Sequence, residues 1–123
     1  TWTYYFDDGK TVSVRETYVN GQLQGSRVTY YANGKKKAEE TYMYNLITGT
    51  VKNYREDGSV ESVVEFRASR PHGPFTAYYP NGKIKEQGEF VAGKKHKEWK
   101  EFDEHGNVTK TTMFRAGILV EDK

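Results

Sequence analysis

The sequence contains no cysteine among its 123 residues. This absence excludes disulfide bonds, thiolate nucleophiles and cysteine-ligated zinc, and it fits either an oxidising or a reducing compartment. No apolar run approaches the roughly eighteen residues that indicate a transmembrane helix, and no basic start followed by an apolar stretch indicates a signal peptide. Because the first residue is Thr1 rather than methionine, we expect that an upstream segment was processed or trimmed.

The chain also has little net charge, since 19 Lys and Arg stand against 17 Asp and Glu and leave a formal charge of +2. This balance argues against nucleic acid as a partner. Hydrophobic residues make up only 35% of the chain, yet aromatic residues reach 15% and include ten Tyr. This combination predicts β-structure with half-exposed rings rather than disorder, because disordered segments are poor in aromatic residues.

An internal repeat is the main feature of the sequence. Turn glycines recur first after 25 residues and then three times after 24, at Gly9, Gly34, Gly58, Gly82 and Gly106. An aromatic residue stands four positions before each of them, at Tyr5, Tyr30, Tyr54, Tyr78 and Phe102. A second turn follows in phase, at Gly21, Asn45, Ser69, Gly93 and Gly117. Such regular spacing predicts a tandem array of one supersecondary unit.

The fourth copy has the pattern of a β-hairpin. Asn81 and Gly82 predict a type I′ turn with two positive φ angles, and the alternation from Ile84 to Phe90 separates two faces of the second strand. The predicted fold is therefore all-β, a single-layer, twisted antiparallel β-meander of about ten strands built from five roughly 24-residue β-hairpin repeats. We expect a single repeat domain over 1–123, with copies at approximately 2–26, 27–50, 51–74, 75–98 and 99–123.

Three segments carry a resemblance to a known family. Tyr78–Lys83 reads YYPNGK, Tyr30–Lys35 reads YYANGK, and Phe90–Lys95 reads FVAGKK. In these segments the chain resembles the MORN-repeat variant family, which includes tandem bacterial hairpin repeats in antitoxin-like and cell-envelope proteins. The third copy departs from the pattern at Asp57 and between Arg67 and Pro71. The resemblance implies a curling antiparallel sheet, interaction elements without shared chemistry, and a bacterial envelope or secreted location, with a cytoplasmic location as the alternative.

Residues capable of chemistry do not combine into a site. His72 and His96 are 24 residues apart, but no third ligand lies in phase with them, so we predict no metal site. The acidic pairs fall in copies one, three and five, roughly 19 Å apart at the usual strand spacing, which is too far for shared acid–base work. These pairs are Asp7-Asp8, Glu56-Asp57 and Asp103-Glu104. The sequence predicts no enzyme, no catalytic residue and no cofactor. We interpret the acidic pairs as turn residues and the lysine runs at 35–37 and 94–97 as solvent-exposed faces.

One set of aromatic and basic residues varies from copy to copy while the five aromatics before the turns stay constant. Aromatic rings bordered by arginine are typical interface anchors, although these rings could instead pack within the sheet. The predicted partner-binding residues are Trp2, Tyr31, Arg55, Tyr79 and Trp99. The functional hypothesis is a non-catalytic protein-interaction or scaffolding module, with an envelope glycan-binding module as the alternative. Unpaired strands at the two ends also permit edge-to-edge self-association.

Overall fold

The computed structural model describes residues 2–115 and 117–122, and the side chains of 119–122 are not part of that description. Its twelve strands are β1 (Trp2–Tyr5), β2 (Val12–Val19), β3 (Gln22–Tyr30), β4 (Lys36–Met43), β5 (Leu46–Ile47), β6 (Gly49–Tyr54), β7 (Val60–Arg67), β8 (Arg70–Tyr78), β9 (Ile84–Val91), β10 (Lys94–Phe102), β11 (Val108–Arg115) and β12 (Ile118–Asp122). No helix occurs in the described residues, and none therefore is long and apolar enough to cross a membrane.

All twelve strands belong to one antiparallel sheet, and they follow one another in sequence order except that β5 pairs only with β4, which also pairs with β6. The predicted meander is thereby confirmed. The expected ten strands become twelve for two reasons: a further strand, β12, follows the fifth hairpin, and Thr48 interrupts one strand position so that β5 and β6 both pair with β4. The boundaries of the individual copies stay a prediction.

Turns join the strands along the two borders of the sheet that contain the strand ends, and the turns of the two borders differ. At the edge that we call the first-turn edge, Gly82 N–H donates to the carbonyl of Tyr79 (2.9 Å), and only Gly82 in that turn has a positive φ (87°). The predicted type I′ turn at Asn81 and Gly82 is therefore wrong, because a bulge at Tyr78 shifts the register and lengthens the connection. Turns with two consecutive positive φ angles lie at the opposite, second-turn edge, at Asn20–Gly21, Tyr44–Asn45, Ala68–Ser69 and Ala92–Gly93.

The small core lies on one face of the sheet, which we call the tryptophan face. Its most buried apolar side chains are Val51, Val64 and Trp99, with exposed fractions of 6%, 8% and 3%. Val51 pairs with Val64, and Val64 pairs with Phe75, so these residues form a row across the strands. Burial of such side chains contributes roughly 25 cal/mol per Å² of apolar surface removed from water. Apolar packing is therefore concentrated in the second half of the array.

Candidate interaction surfaces

The five residues predicted to bind a partner do not form one surface. Trp2 and Trp99 belong to the tryptophan face but lie far apart in the strand order, in β1 and β10. Tyr31, Arg55 and Tyr79 lie at the first-turn edge, each directly after the last residue of a strand. That these five residues bind a partner stays a prediction. The structure shows the contacts that each of them makes within the sheet.

Tyr31, Arg55 and Tyr79 join neighbouring copies through hydrogen bonds. The hydroxyl of Tyr31 donates to the carbonyl of Tyr54, and the hydroxyl of Tyr79 donates to the carbonyl of Phe102, both at 2.6 Å. The guanidinium of Arg55 donates in the same way to a carbonyl 23 residues further on. All three side chains are half-buried. Their polar ends are thus engaged inside the array.

Two further side chains strengthen this edge where the copy contains Asn-Gly-Lys. The Asn33 amide donates to the carbonyl of Glu56 (2.8 Å), and the Lys35 ammonium donates to the carbonyl of Asp57 (3.1 Å). Asn81 and Lys83 repeat this arrangement towards the fifth copy. Three of the aromatic residues before the turns, Tyr54, Tyr78 and Phe102, therefore help to hold the copies together through their backbone carbonyls.

Trp99 is the centre of the apolar cluster. Its ring stacks on Phe75 at 5.4 Å between centroids and meets the edges of Phe90 at 4.9 Å and Phe114 at 6.5 Å. Its indole N–H donates to a backbone carbonyl at 3.1 Å, and the Lys95 ammonium lies 4.7 Å above the ring. A side chain only 3% exposed is not available to a partner in this conformation. The ring of Trp99 therefore packs within the sheet, and a role of Trp99 in partner binding stays a prediction.

Gly88 makes this packing possible. A Cβ atom at this position would lie 2.2 Å from the nearest carbon of the Trp99 ring, which is far inside van der Waals contact. The backbone of Gly88 does not lie in the left-handed region, so its turn propensity is irrelevant. Glycine is required here because the tryptophan ring lies directly against the neighbouring strand.

The first half of the tryptophan face is charged rather than apolar. Arg27 donates to Glu16 at 3.0 Å and to Glu40 at 3.1 Å, and the three residues are direct cross-strand partners. The hydroxyls of Tyr18 and Tyr42 donate to the same two carboxylates at 3.4 and 3.3 Å. Glu16 is only 9% exposed. The hydrogen bonds and ion pairs of this network therefore satisfy the buried charged groups within the sheet itself.

Trp2 remains exposed, with 61% of its surface accessible. Its ring meets Tyr18 edge to face at 6.4 Å, and the two residues line an open hollow of about 480 Å³ together with Tyr4 and Gly21. The hollow offers aromatic surface without a charged group in its lining. Of the five predicted residues, Trp2 is therefore the most accessible to a ligand.

One carboxylate of each acidic pair stabilises its own turn. Asp8, Asp57 and Asp103 each accept backbone N–H groups of their own turn. These hydrogen bonds hold the pKa of each carboxyl below its usual value, through Thr11 for Asp8, Ser59 for Asp57 and Asn107 for Asp103. Among the described residues, no group of three or more His, Cys, Asp or Glu side chains is placed to hold a metal ion. His72 instead accepts the backbone N–H of Ala92 at 3.1 Å.

The sequence reasoning did not single out the second-turn edge. Large apolar side chains project there from successive turns, namely Val19, Met43, Tyr44, Leu46, Val91 and Ile118. The segments 19–25, 43–49, 67–73 and 91–97, which form the first four of these turns and the residues beside them, contain no acidic residue. Arg67, Arg70 and Lys94 are exposed in the same segments. Alignment of the copies would have revealed this edge from the sequence, because the segments without acidic residues occupy equivalent positions in successive repeats.

Comparison with known proteins identifies related repeats. The sequence profile of the family described as MORN repeat variant matches residues 23–43, 71–92 and 95–116, which together make up more than half of the chain. No curated protein matches the chain.

Among solved structures, the chain is similar to a crystal structure of TarM and to one of an S. aureus TarM mutant in complex with fondaparinux, alpha-GlcNAc-glycerol and UDP. The sequence identity is 12% in both cases, with TM-scores of 0.51 and 0.52. The similarity covers 89% of this chain but only 21% of each TarM chain. At this identity, the likeness concerns the fold alone.

Proposed function

Because the chain belongs to the MORN repeat variant family, we propose that it is a non-catalytic protein-interaction or scaffolding module that presents its second-turn edge to another protein. Repeats of this family are generally binding modules for proteins or membranes. The family match concerns the repeat and does not extend to an antitoxin-like role.

The observation that carries this proposal is the composition of the second-turn edge. Exposed apolar side chains stand there beside two exposed arginines, Arg67 and Arg70, and the first four turns contain no acidic residue. The first-turn edge, in contrast, mixes acidic and basic residues, and its polar side chains bind neighbouring copies. Surfaces that combine apolar groups with arginine resemble the cores of protein interfaces.

Affinity purification from extracts of the source organism tests the proposal. The wild-type chain, an Arg70→Glu variant and a Lys10→Glu variant serve as baits. Both residues are exposed, and both substitutions change the charge equally, but Lys10 lies at the first-turn edge. We expect a specific protein that binds wild type and Lys10→Glu and is lost with Arg70→Glu. Equal recovery with all three baits would reject the second-turn edge, and no specific protein would reject the interaction function.

A glycan-binding module is the second candidate, favoured by the hollow that Trp2, Tyr4 and Tyr18 line. Exposed rings of this kind stack on sugars. Tryptophan fluorescence can follow a titration with fondaparinux, which is present in the TarM mutant complex, and with neutral oligosaccharides. A saturable change that a Trp2→Leu variant lacks would favour this candidate. An unchanged spectrum at high sugar concentration would eliminate it.

A further inference from the structure

We infer that the hairpin tip formed by Met43, Tyr44 and Leu46 inserts into an apolar socket rimmed by carboxylates on a folded partner protein. This inference rests on the proposed interaction function and deepens it. It names one tip of the second-turn edge as the anchor and gives the chemistry of the surface that receives it.

The tip is the most apolar of the described second turns. Met43, Tyr44 and Leu46 are 54%, 62% and 46% exposed. The equivalent positions in the other copies carry one large apolar residue or none, as the segments 19–22, 67–70 and 91–94 read VNGQ, RASR and VAGK. Three exposed apolar side chains, one on a two-residue turn and one on each side of it, form a local projection rather than a scattered surface.

Tyr44 adopts a backbone conformation that its side chain disfavours. Its φ is 50°, and that of Asn45 is 68°. The left-handed region is costly for a bulky residue, whereas Asn tolerates it, and Asn20 occupies the equivalent position in the first copy. No described hydrogen bond or ring contact involves the Tyr44 side chain. The described part of the sheet therefore gives no reason for a tyrosine here, and a contact outside the chain supplies one.

Hydrogen bonds to both neighbouring copies hold the tip in place. Asn45 N–H donates to the carbonyl of Leu23 at 3.0 Å, and its side-chain oxygen accepts the N–H of Leu23 at 2.7 Å. On the other side, Ser69 makes the same pair of bonds with Ile47, at 2.8 and 3.0 Å. An ordered tip loses little conformational entropy when it binds, which favours its use as an anchor.

Charge complementarity indicates the rim of the socket. Arg67 and Arg70 flank the turn next to the tip and are exposed, and their side chains have no hydrogen bond or ion pair within the described chain. The planar guanidinium group matches a carboxylate through two parallel hydrogen bonds. A partner that receives the apolar tip would therefore place Asp or Glu beside it.

The concentration of these features at one tip favours a folded protein over a bilayer. A fluid lipid surface would accept apolar side chains from any turn along the edge and would not require a bulky residue at an unfavourable φ. A socket, in contrast, recognises one side chain at one position, as hot-spot residues are recognised in protein interfaces. A membrane surface is accordingly the rival outcome of the experiment.

Site-specific photo-crosslinking provides the test. A benzophenone amino acid replaces Tyr44 in one bait. In a control bait it replaces Val108, which is exposed and lies at the first-turn edge. Both are illuminated in extracts of the source organism, and the crosslinked peptide is sequenced. We expect a crosslink from position 44 only, to a segment that contains apolar residues with Asp or Glu among them.

Binding to the purified partner then separates the tip from the arginines. Tyr44→Asn is expected to raise Tm, because the strain is relieved, and to weaken binding by about tenfold or more. Tyr44→Phe, which keeps the ring, should bind nearly as wild type. An Asp→Lys or Glu→Lys change in the crosslinked segment should restore the binding that Arg70→Glu loses.

Three results would overturn the inference. If Tyr44→Asn binds the partner as wild type does while Arg70→Glu does not, the tip is not the anchor, although the interaction function stands. If wild type, but not Tyr44→Asn, floats with phosphatidylcholine–phosphatidylserine vesicles, the tip contacts lipid instead. If the partner crosslinks through a segment without carboxylates, the assigned chemistry is wrong. Failure of affinity purification to give any partner would reject the proposed function as well.

Discussion

Gly88 is the residue at which one added atom decides whether the tryptophan face can pack. Gly88→Ala would place a Cβ 2.2 Å from the Trp99 ring without any penalty from the backbone angle. We expect a loss of about 1–3 kcal/mol in the free energy of unfolding, measured by urea denaturation, because the ring or the strand must move. In a Trp99→Leu background the same substitution should cost much less. An equal loss in both backgrounds would show that the ring contact is not the cause.

Tyr54 gives a prediction about pH. Its hydroxyl donates to Glu39 at 2.5 Å, and this bond raises the pKa of Tyr54 from 10.0 to about 12, while it lowers the pKa of Glu39. A tyrosine whose pKa is higher in the folded state stabilises the fold below pH 10 and loses that contribution as the pH rises toward 12. The lowered pKa of Glu39 contributes above its unfolded value of 4.5 and is lost as the pH falls below it.

The wild-type chain should therefore be more stable than Tyr54→Phe at neutral pH, and this difference should shrink between pH 10 and about 12. Unfolding in urea at several pH values measures both variants. A difference that stays constant up to pH 12 would mean that the hydrogen bond does not control the titration of Tyr54.

At the scale of the element, the hydrogen bonds between copies explain the recurrence of tyrosine after the first strand of a hairpin. Tyr79→Phe removes only the hydroxyl that donates to the carbonyl of Phe102. We expect a loss of about 1 kcal/mol, because a partly buried carbonyl loses its donor. Tyr78→Phe is the matched control, since no described hydrogen bond involves its hydroxyl. Thermal unfolding should separate the two variants, and equal melting temperatures would argue against this role for the Tyr79 hydroxyl.

The elements show how far the sequence could be interpreted. The recurring glycines were sufficient to predict the hairpins and their order, because each repeat contains its own turn signals. The Asn-Gly pair at 81–82 predicted the wrong turn type, since the bulge at Tyr78 arises from pairing between strands and leaves no local signal. For the same reason, the sequence placed Trp99 among the predicted partner-binding residues but did not predict that its ring covers Gly88.

The candidate site was harder to predict than the fold. Tyrosine is a residue type that is common in interfaces, but the hydroxyls of Tyr31 and Tyr79 donate to backbone carbonyls in the next copy. The sequence pattern alone does not show that these atoms lie within hydrogen-bonding distance. Tyr44 was overlooked because its unusual feature is a backbone angle, which depends on the two-residue turn between β4 and β5. The acid-free second-turn edge was the one signal that a comparison of equivalent positions could have detected.

At the scale of the whole molecule, one row of cross-strand partners changes character along the array. In the first two copies it contains the charged group Glu16, Arg27 and Glu40, and from β6 onward it contains valine and aromatic residues. A buried ion network pays a desolvation cost that offsets much of its attraction, whereas apolar burial contributes directly. Because each repeat contacts only its neighbours, these differences need not average out over the sheet.

This asymmetry predicts that the two halves open separately in hydrogen exchange. Strands β3 and β8 are both paired on two sides, so loss of backbone pairing alone does not distinguish them. We expect amides of β8 to exchange about tenfold more slowly than those of β3, which corresponds to about 1.4 kcal/mol in opening free energy. Trp99→Leu should remove most of the difference by accelerating β8, whereas Trp2→Leu, at a residue 61% exposed, should leave β8 unchanged. Equal protection of the two strands in the wild-type chain would instead mean that the sheet opens as one cooperative unit, with the charged row as stabilising as the apolar one.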